Sequence, residues 1–293
     1  MIVSNLKGGL GNQLFQYACA RSLALNLNQD LLFYYDESIL TTPRKIVIDK
    51  MFNLKLKRSS FLNLSIIVFF PAISFFRNLL AIRSLRFFRS SNFITEPSFS
   101  FWPDLFYVNN RNIYLHGYWQ SYKYFSEYSK ILARDFSFND KFLFKNRTNS
   151  YLKKILFANA VSIHLRRGDF LTNPRASKFH GVCELSYYKK SIKYILKKVK
   201  DPHFFIFSDD IKWAKANLLF GKNSFTYVEN NSEAVDFWLM SSCKHNILAN
   251  STFSWWAAWL NKNDSKIVIA PQRWFLDATI STDDLIPKNW FRF

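Results

Sequence analysis

A chain of 293 residues, 49% apolar and 19% aromatic, is long enough for two medium domains with cores of their own, which excludes a disordered chain. Its 40 Lys and Arg against 21 Asp and Glu give a formal charge of +19, restricting charged partners to nucleic acid, phosphorylated small molecules or an anionic membrane surface. Three widely spaced cysteines, Cys19, Cys183 and Cys243, with no CxxC, suit neither a disulfide framework nor a zinc site and fit reduced thiols in a cytosolic protein.

In chain order, MIVSNL predicts a short strand, and no secretory leader is expected there because charge and glycine follow at once. KGGLGNQLFQYA, Lys7 to Ala18, then sets Gly8, Gly9 and Gly11 ahead of a helix carrying Leu14, Tyr17, Ala18 and Leu25 on helical spacing. This is no P-loop, since no GKS or GKT follows. It fails as a dinucleotide fingerprint because Leu14 stands where the pattern starting at Gly9 needs Gly or Ala. The glycines mark either a tight turn with positive φ or a backbone that a ligand approaches, with Asn12 placed to cap the helix. LLFYY at 31–35 predicts a second strand.

The run from Phe61 to Ile82 approaches the length of a membrane span, but Pro71 and Arg77 interrupt it and basic residues flank it. A helical element buried in the N-terminal domain is expected there, the alternatives being an in-plane membrane contact and a true span. NIYLHG (112–117) predicts a strand, Tyr122–Ala133 a helix, and the polar KNRTNS at 145–150 a domain boundary. Beyond it VSIHL, HFFIFS, FTYV, HNILA and KIVIA read as strands. Helices at Tyr187–Val199, Ile211–Leu219, Glu233–Cys243 and Phe253–Asn261 separate them. Such alternation predicts a parallel sheet covered on both faces, and hence two α/β domains facing each other across a cleft.

Three segments of the second half end predicted strands on one sheet edge, where open α/β sheets bind ligands. IHLRRGDF (163–170) brings Arg166 and Arg167, whose planar forks suit phosphate, unless they merely pair with Asp169 to staple a loop. FSDD brings Asp209 and Asp210, acids suited to a base edge, and ANSTFSWWAAWLN (249–261) sets Asn250, Ser251 and Thr252 at a helix start, an anion site. Together they describe a nucleoside diphosphate site. Nowhere do two aspartates stand two apart, so the metal-binding DxD pattern is missing.

GGLGNQLFQYA, HGYWQSYKYF (116–125), HLRRGD, FSDD and NSTFSWWAAWLN, in this order, resemble the α1,2-fucosyltransferases of the bacterial type, glycosyltransferase family 11, within a wider fucosyltransferase group sharing an HxR motif. The matching motifs run from residue 8 to about 275, leaving only 40–105 without a match.

The resemblance implies a GT-B type α/β fold. Residues 1–150 would be an acceptor-side domain with an apolar helical insertion at about 55–105, and 151–293 a Rossmann-like domain binding GDP-fucose. It also implies inversion at the anomeric carbon and no metal or other cofactor. Arg166 would contact the β-phosphate, with Arg167 beside it as a structural or supporting charge, and His164 would contact guanine or order the loop. One of Asp209 and Asp210 would meet guanine while the other caps a helix. Ser251, Thr252 and Phe253 would form a phosphate-binding turn, and Trp255, Trp256 and Trp259 the core. The Gly8–Gly11 turn, with Gly9, Gly11 and Asn12, would approach the fucose and pyrophosphate and position the acceptor. Asp169 is either the base for the acceptor hydroxyl or the group holding the arginines.

A basic nucleic-acid binder predicts lysines interleaved with aromatics on one surface. The lysines here are diffuse, with Lys189, Lys190, Lys193, Lys197, Lys198 and Lys200 gathered on one helix face. No nucleic acid is therefore expected. A catalytically dead sugar-nucleotide sensor and a fucosyltransferase of other linkage, α1,6 or to protein, are the further alternatives. The charge and the apolar run point to a cytoplasmic enzyme touching the inner membrane face, with an oligosaccharide acceptor, lipid-linked there, in O-antigen or other lipopolysaccharide assembly.

Overall fold

The computed structural model describes residues 1–35, 45–60, 90–218 and 223–293, together with Asn63, Leu64, Ile67, Leu79, Ile82 and Gly221. Most of the apolar run at 61–82, and with it part of the expected helical insertion at about 55–105, lies outside the described residues. Among the described residues no helix is long and apolar enough to cross a membrane. The chain divides into two compact units, Met1–Asn139 and Asp140–Phe293. The polar stretch KNRTNS lies inside the second, where Asn149 caps a helix by accepting from the N–H groups of Tyr151 and Leu152.

In the first unit β1 (Ile2–Asn5), β2 (Leu31–Tyr34), β3 (Phe93–Thr95) and β4 (Ile113–His116) pair in the order β2-β1-β4-β3, all parallel. Ile2, Val3 and Ser4 are inaccessible on both faces of the sheet, which is why the strand reads as an unbroken run rather than an alternation. Helix α1 (Leu10–Asn26) is buried on nearly every side. Aromatic residues supply its second cover: Phe15 meets Phe125, and Tyr17 lies between Phe33 and Phe136. The short helix α2 is Ile48–Met51, and α3 is Ser129–Asp135. The helix expected over Tyr122–Ala133 is instead a single 3₁₀ turn, Tyr122–Tyr124, followed by α3. The break turns Tyr124 and Phe125 inward, each about 1% exposed, so aromatic burial overrides helical spacing.

The second unit begins with α4 (Asp140–Asn146) and α5 (Ser150–Phe157). It continues through β5 (Asn159–Leu165), α6 (Gly168–Thr172), α7 (Pro174–His180), α8 (Leu185–Lys198), β6 (Pro202–Ser208), α9 (Ile211–Asn217) and β7 (Ser224–Tyr227). It closes with α10 (Glu233–Ser242), β8 (His245–Ile247), α11 (Thr252–Leu260), β9 (Val268–Ala270) and β10 (Phe291–Arg292). The sheet order is β10-β9-β8-β5-β6-β7, again all parallel. The chain works outward from β5 through β6 to β7, then crosses back to β8 on the far side of β5. The ends of β5 and β8 thus flank a reversal of strand order, where crossovers leave a crevice. Buried side chains lock this pair: Asn246 Nδ2 donates to Ser162 Oγ at 2.7 Å, and Asn261 Nδ2 to Asn246 Oδ1 at 2.7 Å.

The first sheet has the same kind of tie. Fully buried Gln16 accepts from the Lys7 N–H at 2.9 Å and donates to the Gly117 carbonyl at 3.1 Å, joining the ends of β1 and β4. Replacing Gln16 with Ala leaves both backbone groups without that partner. Urea denaturation of Gln16→Ala is expected to show a loss of roughly 1–3 kcal/mol for each orphaned group that stays dry.

Candidate functional site

At the end of β5 the chain runs Arg166, Arg167, Gly168, Asp169. The Arg166 guanidinium lies between two carboxylates, with NH2 2.8 Å from Asp169 Oδ1 and NH1 3.2 Å from Asp209 Oδ2. Its side chain keeps about 30% of its surface open. Asp209 comes from the end of the neighbouring strand β6, and its Oδ1 also accepts from the Arg167 N–H at 2.8 Å. A side chain at Gly168 would place Cβ 2.8 Å from Asp209 Oδ2, so the missing Cβ is what allows this approach. Arg167 turns away from Arg166: its guanidinium stacks 3.6 Å from the Trp213 ring centroid and pairs with Asp210 Oδ2 at 3.4 Å. Asp210 also caps α9, Oδ1 accepting from the Trp213 N–H at 3.1 Å. Of the two acids, then, Asp210 is the helix cap.

This knot holds two guanidinium groups and three carboxylates, so the arginine pair does not by itself make a cationic patch. Positive potential on this edge comes as well from the start of α11, where Ser251 is the N-cap and its Oγ accepts from the Phe253 N–H at 3.3 Å. Thr252 opens the helix and Phe253 packs 5.5 Å from the His164 ring. Asn250 is almost wholly buried, its amide donating to the carbonyls of His180, Gly181 and Trp274, so it fastens two return loops to the end of β8. Trp255 and Trp256 are inaccessible core residues, and Trp259 meets Trp256 edge-to-face with ring centroids 5.1 Å apart. Among the described residues no group of three His, Cys, Asp or Glu is placed to hold a metal ion.

His164, the last but one residue of β5, is buried, with Nδ1 lacking a hydrogen-bond partner. Burial, reinforced by the Arg166 charge, pulls its pKa down to about 3, so it is a neutral imidazole at physiological pH. Its carbonyl accepts from Tyr188 Oη at 3.0 Å, while Tyr187 Oη reaches the carbonyls of Leu248 and Ile269. Both tyrosines project from α8 and hold the ends of β5, β8 and β9 together. In the sequence Tyr187 only marks the start of a predicted helix, and Tyr188 carries no signal of its own.

On the first unit, Gly8 adopts φ +81°, which a side chain rarely tolerates. Gly9, not Asn12, is the N-cap of α1, with no side-chain cap bond, and Gly11 is buried inside the helix. Asn12 therefore lies in the first turn, where its Oδ1 accepts from Gln120 Nε2 at 2.9 Å. The expectation of an Asn12 cap fails because the backbone turns helical earlier. Gln13 fixes the turn from inside, donating to the carbonyls of Gly8 and Lys45.

The family model for glycosyl transferase family 11 matches residues 91–293, which takes in every residue of the second-unit edge. The chain belongs to glycosyl transferase family 11. This family 11 enzyme is 37% identical over 292 residues to the O-antigen biosynthesis glycosyltransferase WbnK of Escherichia coli, covering 93% of this chain and 94% of that protein. It is 35% identical to an Escherichia coli alpha-1,2-colitosyltransferase, covering 100% and 98%. Among solved structures the fucosyltransferase NodZ from Bradyrhizobium aligns with TM-score 0.57 at 15% identity, over 88% of this chain and 90% of that one. A NodZ alpha-1,6-fucosyltransferase crystal soaked with GDP-fucose aligns with TM-score 0.53. At that identity the likeness establishes a shared fold. The transferase thus carries, at the reversal point of its second sheet, a held guanidinium, a neutral imidazole and a helix start, chemistry suited to an anion that gains charge during reaction.

The buried imidazole has a measurable consequence. Below pH 6.5 the unfolded chain protonates His164 while the folded one does not until about pH 3, so stability should decline as pH falls through that window. Thermal unfolding between pH 7 and pH 5 should show this slope, at most about 1.4 kcal/mol per pH unit for this group. His164→Gln should make the slope shallower than in wild type. His203 and His245, lowered by burial, act in the same direction, while Asp236, raised to about 6, and Glu96, also raised, act against it. The difference between wild type and variant is therefore the quantity that reports His164.

Proposed function

We propose that this glycosyltransferase moves L-fucose from GDP-fucose to the 2-hydroxyl of a β-galactosyl acceptor in a surface glycan such as an O-antigen repeat, with inversion and without a divalent cation. The observation that carries the reading is Arg166, presented by the end of β5 at the strand-order reversal and fixed by carboxylates from two elements. As the glycosidic bond to the diphosphate breaks, charge grows on the β-phosphate. A donor already oriented toward that oxygen stabilises the transition state more than the ground state. The start of α11, with Ser251, Thr252 and Phe253, supplies further N–H and hydroxyl donors and the positive end of the helix dipole. His164 offers an unpartnered ring nitrogen, and Asp209 keeps lone pairs for a guanine edge beyond those used by the arginines. In this reading Asp169 holds Arg166 rather than taking the acceptor proton, since its carboxylate is engaged at 2.8 Å. The first unit's turn, with Gly9 and Asn12, serves the sugar and the acceptor, and Gly11, buried inside α1, supports that turn from within.

The 35% identity to a colitosyltransferase along the whole chain supports a second donor reading, GDP-colitose, which differs from GDP-fucose in lacking the 3-hydroxyl. Pure protein incubated with each donor, EDTA and a panel of galactosides, with the new bond located by NMR, tests both. Transfer from GDP-fucose that survives EDTA is expected. Arg166→Ala should slow it at least about 100-fold, the loss typical of one preorganised donor, and Asp169→Asn should reduce but not abolish it. Undiminished transfer by Arg166→Ala, or its loss on chelation, overturns the mechanism.

The acceptor reading extends to a lipid-linked oligosaccharide met by an enzyme resting on an anionic membrane at its cytoplasmic face. Five exposed lysines of α8 (Lys189, Lys190, Lys193, Lys197 and Lys198) and the exposed Leu156 and Phe157 ending α5 support it. Sedimentation with phosphatidylglycerol vesicles at low salt, reversed at about 0.5 M NaCl, is expected. Equal indifference to anionic and neutral vesicles would remove this part.

A further inference from the structure

We infer that the turn from His116 to Gln120, with Lys7 and Asn12, is the subsite that seats the acceptor sugar, the Tyr118 ring taking the sugar's apolar face. The inference deepens the reading above, on which its choice of galactoside rests.

The turn leaves the end of β4, next to the end of β1, at the strand-order reversal of the first sheet. That edge is where a parallel sheet opens a ligand crevice. The turn is also restrained far beyond what a connection needs. Glu96, just past β3, is half-buried and accepts from the backbone N–H of Tyr118 at 2.9 Å, while the N–H groups of Trp119 and Gln120 also favour its ionised carboxylate against the burial that raises its pKa. Trp119 is fully buried yet holds φ +56°, a region that bulky residues rarely enter. Gly117 has no room for a side chain: Cβ would stand 2.8 Å from Glu96 Cβ and 3.0 Å from Trp119 Cε2. Strained backbone held by this many independent restraints is a mark of a shape that is used.

What the turn presents fits a hexose. Tyr118 leaves 37% of its surface open, with Lys7 Nζ 4.9 Å from its ring centroid. The same ammonium is 3.2 Å from His116 Nε2, and Asn5 Nδ2 is 3.4 Å from His116 Nδ1. Gln120 and Asn12 add two amides, bonded to each other at 2.9 Å. Above Gly9 a Cβ would meet nothing within 4 Å, so the floor beside these groups is open backbone. A sugar ring has one C–H face for an aromatic platform and a rim of hydroxyls for mixed donors and acceptors. A phosphate would need net positive charge, and here the Lys7 ammonium is offset by the Glu96 carboxylate in its own field. The chemistry therefore selects a neutral polyol over an anion.

The test measures acceptor and nucleotide separately. Tyr118→Ala should raise the acceptor KM about tenfold, equivalent to about 1.4 kcal/mol. The Kd for GDP by calorimetry should stay within about twofold of wild type. Tyr118→Phe, which keeps the ring, should recover most of the loss, and Glu96→Gln should lose less than Glu96→Ala because it keeps one acceptor oxygen for the turn. An unchanged acceptor KM in Tyr118→Ala, or an equal fall in GDP affinity, overturns the subsite. If the wild-type enzyme transfers to no galactoside, the functional reading fails on its own. The subsite is then judged by saturation-transfer NMR of methyl β-galactoside and other monosaccharides. Signals on wild type that vanish in Tyr118→Ala support it, and signals absent from wild type or unchanged in the variant refute it.

Discussion

Everything at the second-unit edge depends on how one guanidinium is restrained. An arginine side chain leaving a strand end has many rotamers, and ordering it costs conformational entropy. Asp169, three residues on, and Asp209, from the neighbouring strand, remove that freedom before any ligand arrives. The arrangement is possible only because Gly168 lets Asp209 come within a distance that any Cβ would block. Gly168 of HLRRGD is thus the clearance for a carboxylate from another strand.

The scaffold behind this restraint is polar as much as apolar. Ser162, Asn246 and Asn261 tie β5 to β8 inside the sheet, while Tyr187 and Tyr188 reach from α8 to the carbonyls at the strand ends. In the first unit Gln16 plays the corresponding part between β1 and β4. Buried polar groups with satisfied partners tolerate little slippage, because any shift orphans a donor or acceptor away from water. Both sheets thus place such ties at the strand pair whose ends open the crevice.

Much of the fold is legible because parallel strands covered on both faces appear as apolar runs, as the FFIF of HFFIFS does, and because the intervening helices keep a clean period. Legibility fails where a contact joins residues far apart in sequence. Nothing in EPSF announces that Glu96 will accept from the Tyr118 N–H, and Gln16 looks like any polar position of a helix. Local rules also mislead when tertiary packing overrides them. The spacing of Tyr122–Ala133 is helical, but Tyr124 and Phe125 are drawn inward and break it, and Asn12 has the identity of a cap while Gly9 occupies the place of one. On the second-sheet edge, the placing of Arg166, Asp209 and Ser251 just past strand ends and at a helix start can be read from type and position. The sign of the local charge cannot, because it depends on three carboxylates returning to two arginines.

That excess of carboxylate leaves Arg166 largely neutralised by its own chain. Asp169 at 2.8 Å and Asp209 at 3.2 Å engage both terminal nitrogens of the guanidinium, and only about 30% of the side chain stays open. An anion meeting that open part would see a partly screened charge rather than a bare one. Strength of attraction is thereby traded for a fixed direction of approach, and the long side chain needs no other counter-ion to stay in place.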